Sequence, residues 1–137
     1  MTILESIRNY FCSCPLLKEG ALNVDYLGNG FNYNIDSIPT NPILQKYADG
    51  GAKKQFTFIF QSREAWGNDT LSNLDNNGFY EQLGEWIETN NKNKFLPTME
   101  EGKIPFKVQL LTCGYLMSNT ADSGIYQIQA RLIYLEL

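Results

Sequence analysis

The sequence has no histidine and only three cysteines among its 137 residues, and no apolar run approaches the roughly 20 residues that a membrane-spanning helix needs. Without histidine the commonest general base is missing. Neither serine nor cysteine then has an imidazole to activate it, so nucleophilic triads are excluded. Cys12, Cys14 and Cys113 are an odd set, and Cys12-Ser13-Cys14 is not a Cys-x-x-Cys motif. No zinc site, dithiol centre or other metal is therefore expected, and the thiols read as small buried hydrophobes. Basic residues are also short: 11 Lys and Arg stand against 15 Asp and Glu, a net charge of −4. Phosphate binding draws its affinity from Lys and Arg, so nucleic acid is not an expected direct partner. The pair Lys53-Lys54 and the loose trio Lys92, Lys94 and Arg63 read as solvated surface, with a phosphate or partner contact as the alternative. The opening MTILESIRNYF has no basic segment leading into an apolar one, so a cytoplasmic protein without a membrane contact is expected.

What is present is enough for a core. Apolar residues make up 43% of the chain and aromatics 13%, and a chain of this length buries roughly two-thirds of its unfolded surface. Residues 1–137 read as a single α+β domain. Thr2 followed by Glu5 is a capping box, and Ile3, Ile7, Tyr10, Phe11 and Cys14 recur at helical spacing until Pro15. Leu22, Val24 and Tyr26, then Phe31, Tyr33 and Ile35, alternate on either side of Gly28-Asn29-Gly30, which predicts a β-hairpin. Ser37 to Ala52 carries Pro39, Pro42 and Gly50-Gly51 and reads as a long connection. Within it only Ile43 to Tyr47 offers anything to pack. Long connections in small domains are usually functional or mobile, which makes this the first place to look for a partner contact; a crossover without a role is the other reading.

KQFTFIFQSRE, from Lys54 to Glu64, predicts the central strand, with Phe56, Phe58 and Phe60 as core on one face. Leu71, Leu74, Phe79, Leu83, Trp86 and Ile87 trace a helical stripe. Asn76-Asn77-Gly78 sits inside it, and glycine there costs about 1 kcal/mol relative to alanine, so a break before Gly78 is the alternative. Two long strands close the chain. Ile104 to Ser118 has Phe106, Val108, Leu110 and Thr112 on one face; Gly124 to Leu137 has Tyr126, Ile128, Ala130, Leu132 and Tyr134. The opposite face of the last strand turns apolar at Ile133 and Leu135, so its end is expected to be buried on both sides, within the chain or against another copy. The order α-β-β-β-α-β-β predicts one antiparallel sheet of about five strands with two helices packed on a face.

No phosphate loop or dinucleotide fingerprint occurs, and Gly28-Asn29-Gly30 reads as a turn. Glu100-Glu101 and the pair Asp69 with Asp75 are the only acids that invite an acid–base reading, and such residues in polar loops are ordinarily solvated. The sequence thus offers no catalytic residue, no metal ligand and no cofactor site, and the chain is not expected to be an enzyme.

Four strings, TILESIRNYF, QKYADGGAKKQFTFIFQSRE, NNGFYEQLGEWIE and YQIQARLIYLEL, cover much of the chain. Together with the order of segments they resemble the minor capsid and tail-completion proteins of long-tailed bacteriophages and prophages. That resemblance implies a virion structural protein at the head-to-tail junction, with a fold similar to tail terminator proteins, which form hexameric rings on the tail tube. It further implies self-association, contacts with other tail or connector proteins, and residence in the bacterial host cytoplasm during assembly and then in the virion. The expected subunit contacts are Ile43, Leu44 and Tyr47 in the long connection and Ile133 and Leu135 in the last strand. A ring needs two different patches that meet head to tail, and an acidic channel lets a DNA duplex slide. A non-enzymatic binding module, holding a small ligand or a host protein on the sheet face, is the alternative; it predicts a monomer.

Overall fold

The computed structural model of the chain describes residues 2–15, 22–24, 33–65, 70–119 and 123–137. Among these residues two helices and seven strands follow in the order α1 (Ile3–Cys12), β1 (Leu22–Val24), β2 (Tyr33–Ile38), β3 (Ile43–Lys46), β4 (Ala52–Ala65), α2 (Thr70–Asn93), β5 (Lys103–Leu110), β6 (Tyr115–Asn119) and β7 (Ser123–Glu136). The fold is α+β, as expected, with a single open sheet. Its strand order is β1-β2-β4-β7-β5; β3 continues the β2 edge of β4, and β6 continues the β5 edge of β7. The count of five strands was two short, because β3 and the separation of β5 from β6 were not foreseen.

Every pairing is antiparallel except that of β1 with β2, which is parallel with Leu22 beside Tyr33 and Val24 beside Ile35. The expected hairpin is thereby corrected. Alternation establishes that both segments are strands but not their relative direction, and the glycine turn at 28–30 lies outside the described residues. The spine of the sheet is the long β4–β7 pair, in register from Ala52 beside Glu136 to Ala65 beside Ser123.

Both helices pack on one face of that spine. Thr2 caps α1 by accepting the Glu5 N–H on its Oγ1 at 3.1 Å, and Ile7, Tyr10 and Phe11 fall on one side and are buried. Phe58 and Phe60 alternate inward from β4 and are fully buried, with Phe56 half-buried beside them. Phe11 reaches down to both, its ring centroid 5.9 Å from Phe58 and 5.0 Å from Phe60. From α2, Tyr80, Leu83, Ile87 and Asn90 recur at helical spacing and are all buried, while Trp86 covers Tyr10 at 4.9 Å. The helix is unbroken across Gly78. Packing of its C-terminal half outweighs the local cost of one glycine. The side chains of Leu71 and Leu74 lie outside the described residues. At the C-terminal end of α2, Lys94 adopts φ 62°, and the Phe95 N–H closes on the Asn90 carbonyl at 2.9 Å, a Schellman stop.

Tyr80 ties the helix to the sheet, sharing a 2.7 Å hydrogen bond with Ser62 Oγ and donating to the Tyr126 carbonyl at 3.0 Å. Gly114 is obligatory here, since a Cβ on it would lie 2.4 Å from the Tyr80 Cβ. The other face carries polar ladders. Asn34 donates to Gln61, Gln61 donates to Gln127 (3.1 Å each), and Gln127 donates to the Tyr115 hydroxyl. Arg131 bridges Gln109 at 2.8 Å and Gln55 at 2.9 Å.

The long third strand expected from Ile104 to Ser118 is two strands. Between them the N–H groups of Leu111 and Thr112 both point at the Gln129 carbonyl, which ends β5 before β6 begins. Phe106, expected inside, is 50% exposed. A bulge between Pro105 and Lys107 inserts one residue and sends Phe106 off the helix face, while Val108 stays buried.

Candidate assembly surfaces

Ser37 to Ala52 is not a structureless connection. Asn41 accepts the Ile43 N–H on its Oδ1, Gln55 donates its N–H to the Pro42 carbonyl, and Gln55 Nε2 reaches the Asn41 carbonyl. Thr40 and Thr57 share a hydroxyl hydrogen bond. These contacts deliver β3 onto β4 with Ile43 beside Lys54 and Lys46 beside Ala52. The hairpin closes through Tyr47 N–H to the Gly51 carbonyl at 2.8 Å. Gly50 takes φ +93° in that turn, a conformation that glycine adopts without steric cost. Prolines and a four-residue strand hid this element from periodicity, which needs a longer run to register.

The hairpin carries the apolar residues that the sequence singled out. Ile43, Leu44 and Tyr47 are 37%, 39% and 41% exposed, respectively, and Leu137 is 81% exposed. A depression of about 440 Å³ lies between them, lined by Ile43, Lys46, Tyr47, Lys54, Glu136 and Leu137. Across it Lys54 and Glu136 form an ion pair. Hydrogen bonding to Glu136 raises the Lys54 pKa, and the same bond lowers that of the Glu136 carboxyl.

The two remaining candidates part company. Ile133 is 2% exposed and offers no surface to a second copy, which corrects its place among the contacts. Leu135 is half-buried, beside Lys53 and Ile104. Burial on both faces within the chain is reached at residues 132–134, with Leu132 and Tyr134 toward the helices and Ile133 behind, and is lost toward the strand's end, where Leu135 and Glu136 are half-buried and Leu137 is exposed. Phe106 and Ile104 are exposed apolar residues that sequence reading missed, because β5 was assigned an unbroken alternation. Lys53 sits over the Phe106 ring at 5.1 Å.

The acidic and thiol candidates are dispersed. Glu100 pairs with Lys103 at 3.1 Å on the surface; Asp69 and the side chain of Asp75 lie outside the described residues. Cys14 is buried, but Cys12 and Cys113 are exposed, so only one thiol acts as the expected core hydrophobe. Lys92 and Lys94 are exposed at the end of α2. Among the described residues no three His, Cys, Asp or Glu side chains are grouped to hold a metal. No described helix is long and apolar enough to cross a membrane. The chain matches no protein-family model and no curated protein.

Proposed function

We propose that the chain is a non-catalytic structural subunit of the head-to-tail junction of a long-tailed bacteriophage, a ring-forming tail terminator or tail-completion protein. The observation that carries this reading is the β3–β4 hairpin. It is held by backbone and side-chain hydrogen bonds, yet it presents Ile43, Leu44 and Tyr47 to solvent. Fixing apolar side chains in an exposed arrangement has no return within the subunit, and it is what an assembly surface requires. The four strings that resemble phage tail-completion proteins support the same reading, and one of them contains most of the hairpin.

Sedimentation or light scattering across a concentration series tests it. A closed oligomer several times the 15.6 kDa subunit mass, seen as rings by electron microscopy, is expected. A subunit that stays monomeric at every concentration would overturn the ring and favour a monomeric binding module instead.

A further inference from the structure

Resting on that self-assembly, we propose that the β3–β4 hairpin of one copy docks into an acidic groove of the next copy, between α2 and the β5–β6 edge. The groove is about 450 Å³; half-buried Leu110 is its accessible apolar residue, Tyr80 and Ile128 lie buried beneath it, and exposed Cys113 is at its side. Two glycines open it. A Cβ on Gly84 would lie 3.2 Å from the Leu110 Cδ1, and one on Gly114 would collide with the Tyr80 side chain. One wall is α2, where Glu81, Glu85 and Glu88 stand four and three residues apart and so share one helical face. None of these carboxylates has an ion-pair partner among the described residues.

An apolar floor under three uncompensated negative charges is complementary to an apolar element that carries cations. The hairpin is such an element: Ile43, Leu44 and Tyr47 are exposed beside Lys46, Lys53 and Lys54, with Asp49 as the one acid. Lys54 is engaged by Glu136 and Lys53 lies over Phe106. Lys46 is exposed and without a partner among the described residues, and it is the cation left to meet the glutamates.

The two surfaces share no residue. Ala52, at the hairpin, and Phe60, beside Ile128 at the groove, are eight residues apart along β4, about 26 Å at ~3.3 Å per residue. Contact between them therefore joins two different patches, as a head-to-tail ring requires. Like-on-like contact is opposed by charge, because groove against groove gathers two sets of three carboxylates and hairpin against hairpin gathers the lysines.

Cys113 supplies the test, since it is exposed and lines the groove. In a Cys12→Ser background, Tyr47→Cys places one thiol on each surface. Mild oxidation is expected to give a ladder of disulfide-linked multimers, which Cys113→Ser abolishes and which the background alone does not form. Independently, Glu85→Lys or Lys46→Glu is expected to weaken self-association at least about tenfold, and the two combined to restore it. An oligomer by mass that gives no ladder and is indifferent to both charge reversals would overturn this docking while leaving assembly intact. A monomer at all concentrations would remove both.

Discussion

Replacing Asn91 by alanine removes two hydrogen bonds that stand in for a missing neighbouring strand. β5 is the last strand of the sheet, and at Val108 its outward backbone groups meet the Asn91 carboxamide. The Val108 N–H donates to Asn91 Oδ1 at 3.1 Å, and Asn91 Nδ2 donates to the Val108 carbonyl at 2.8 Å. Each bond contributes about 1 kcal/mol net, so Asn91→Ala is expected to cost about 2 kcal/mol. With an unfolding entropy of about 2.1 cal/mol/K per residue, a chain of this length loses roughly 3.5 °C of Tm per kcal/mol, or about 7 °C here. Asn91→Asp sharpens the test. A carboxylate still accepts from the Val108 N–H, but it sets a second oxygen against the Val108 carbonyl where a donor had been. It is expected to be at least as damaging as alanine at neutral pH, with part of the loss recovered on acidification. Thermal unfolding of the three proteins at pH 7 and pH 4, with hydrogen exchange at the Val108 amide, reads both effects. A Tm shift under about 2 °C for Asn91→Ala, or an aspartate variant as stable as the parent at pH 7, would refute the edge-capping argument.

Phe58→Ala empties a fully buried aromatic site under Phe11 and is expected to cost about 3 to 5 kcal/mol, read as a denaturant midpoint. Gly78→Ala should stabilise by about 0.5 to 1 kcal/mol, because a Cβ there meets nothing within 4 Å in a helical backbone and alanine is the better helix former. Gly114→Ala should do the opposite, since its methyl group collides with Tyr80; equal effects at the two glycines would contradict the packing. Burial pushes the Tyr10 phenol up to about 12, with the Asn90 hydrogen bond opposing. The unfolded phenol ionises near 10, so its contribution to stability is complete below that pH and is lost as pH rises through about 12. Tyr10→Phe should flatten the fall in stability measured between pH 9 and 12.

The legible parts of this fold are those where a side chain's fate depends on its own neighbours in sequence. Thr2 and Glu5 mark the start of α1 because capping is local. Phe56, Phe58 and Phe60 mark β4 because one face of that strand is buried along this stretch. Phe106 fails the same rule because a bulge at Pro105 to Lys107 is set by pairing with β7 rather than by β5 itself. The direction of β1 is likewise a property of its partner. Tyr80, Asn90 and Asn91 were not foreseen because their value lies in polar groups of distant strands; the signal available was their spacing with Leu83 and Ile87 along the buried side of α2. Of the candidate contacts, Ile43, Leu44 and Tyr47 were readable as an apolar island between prolines and glycines. The groove was not, since its walls come from α2 and from the break between β5 and β6, and only the folded chain brings them together.

An open sheet leaves two edges, and this chain treats them differently. On the β5 edge Asn91 occupies the backbone groups of Val108, which closes that position to strand addition by a second chain. On the opposite side β1 ends the sheet and β3 lies along the rest of β4; β3 is short, interrupted by a bulge between Ile43 and Gln45, and carries Lys46, features that discourage continuous pairing of strands along that part of the edge. Where pairing of strands is discouraged in this way, the proposed assembly would cover the exposed apolar residues of the hairpin with side chains rather than with another strand. In the proposed docking a concave surface would provide that cover, and among the surfaces described the groove beside α2 combines half-buried Leu110 with charge of the opposite sign. Its glutamates would give the proposed contact a direction, which a purely apolar patch would leave open.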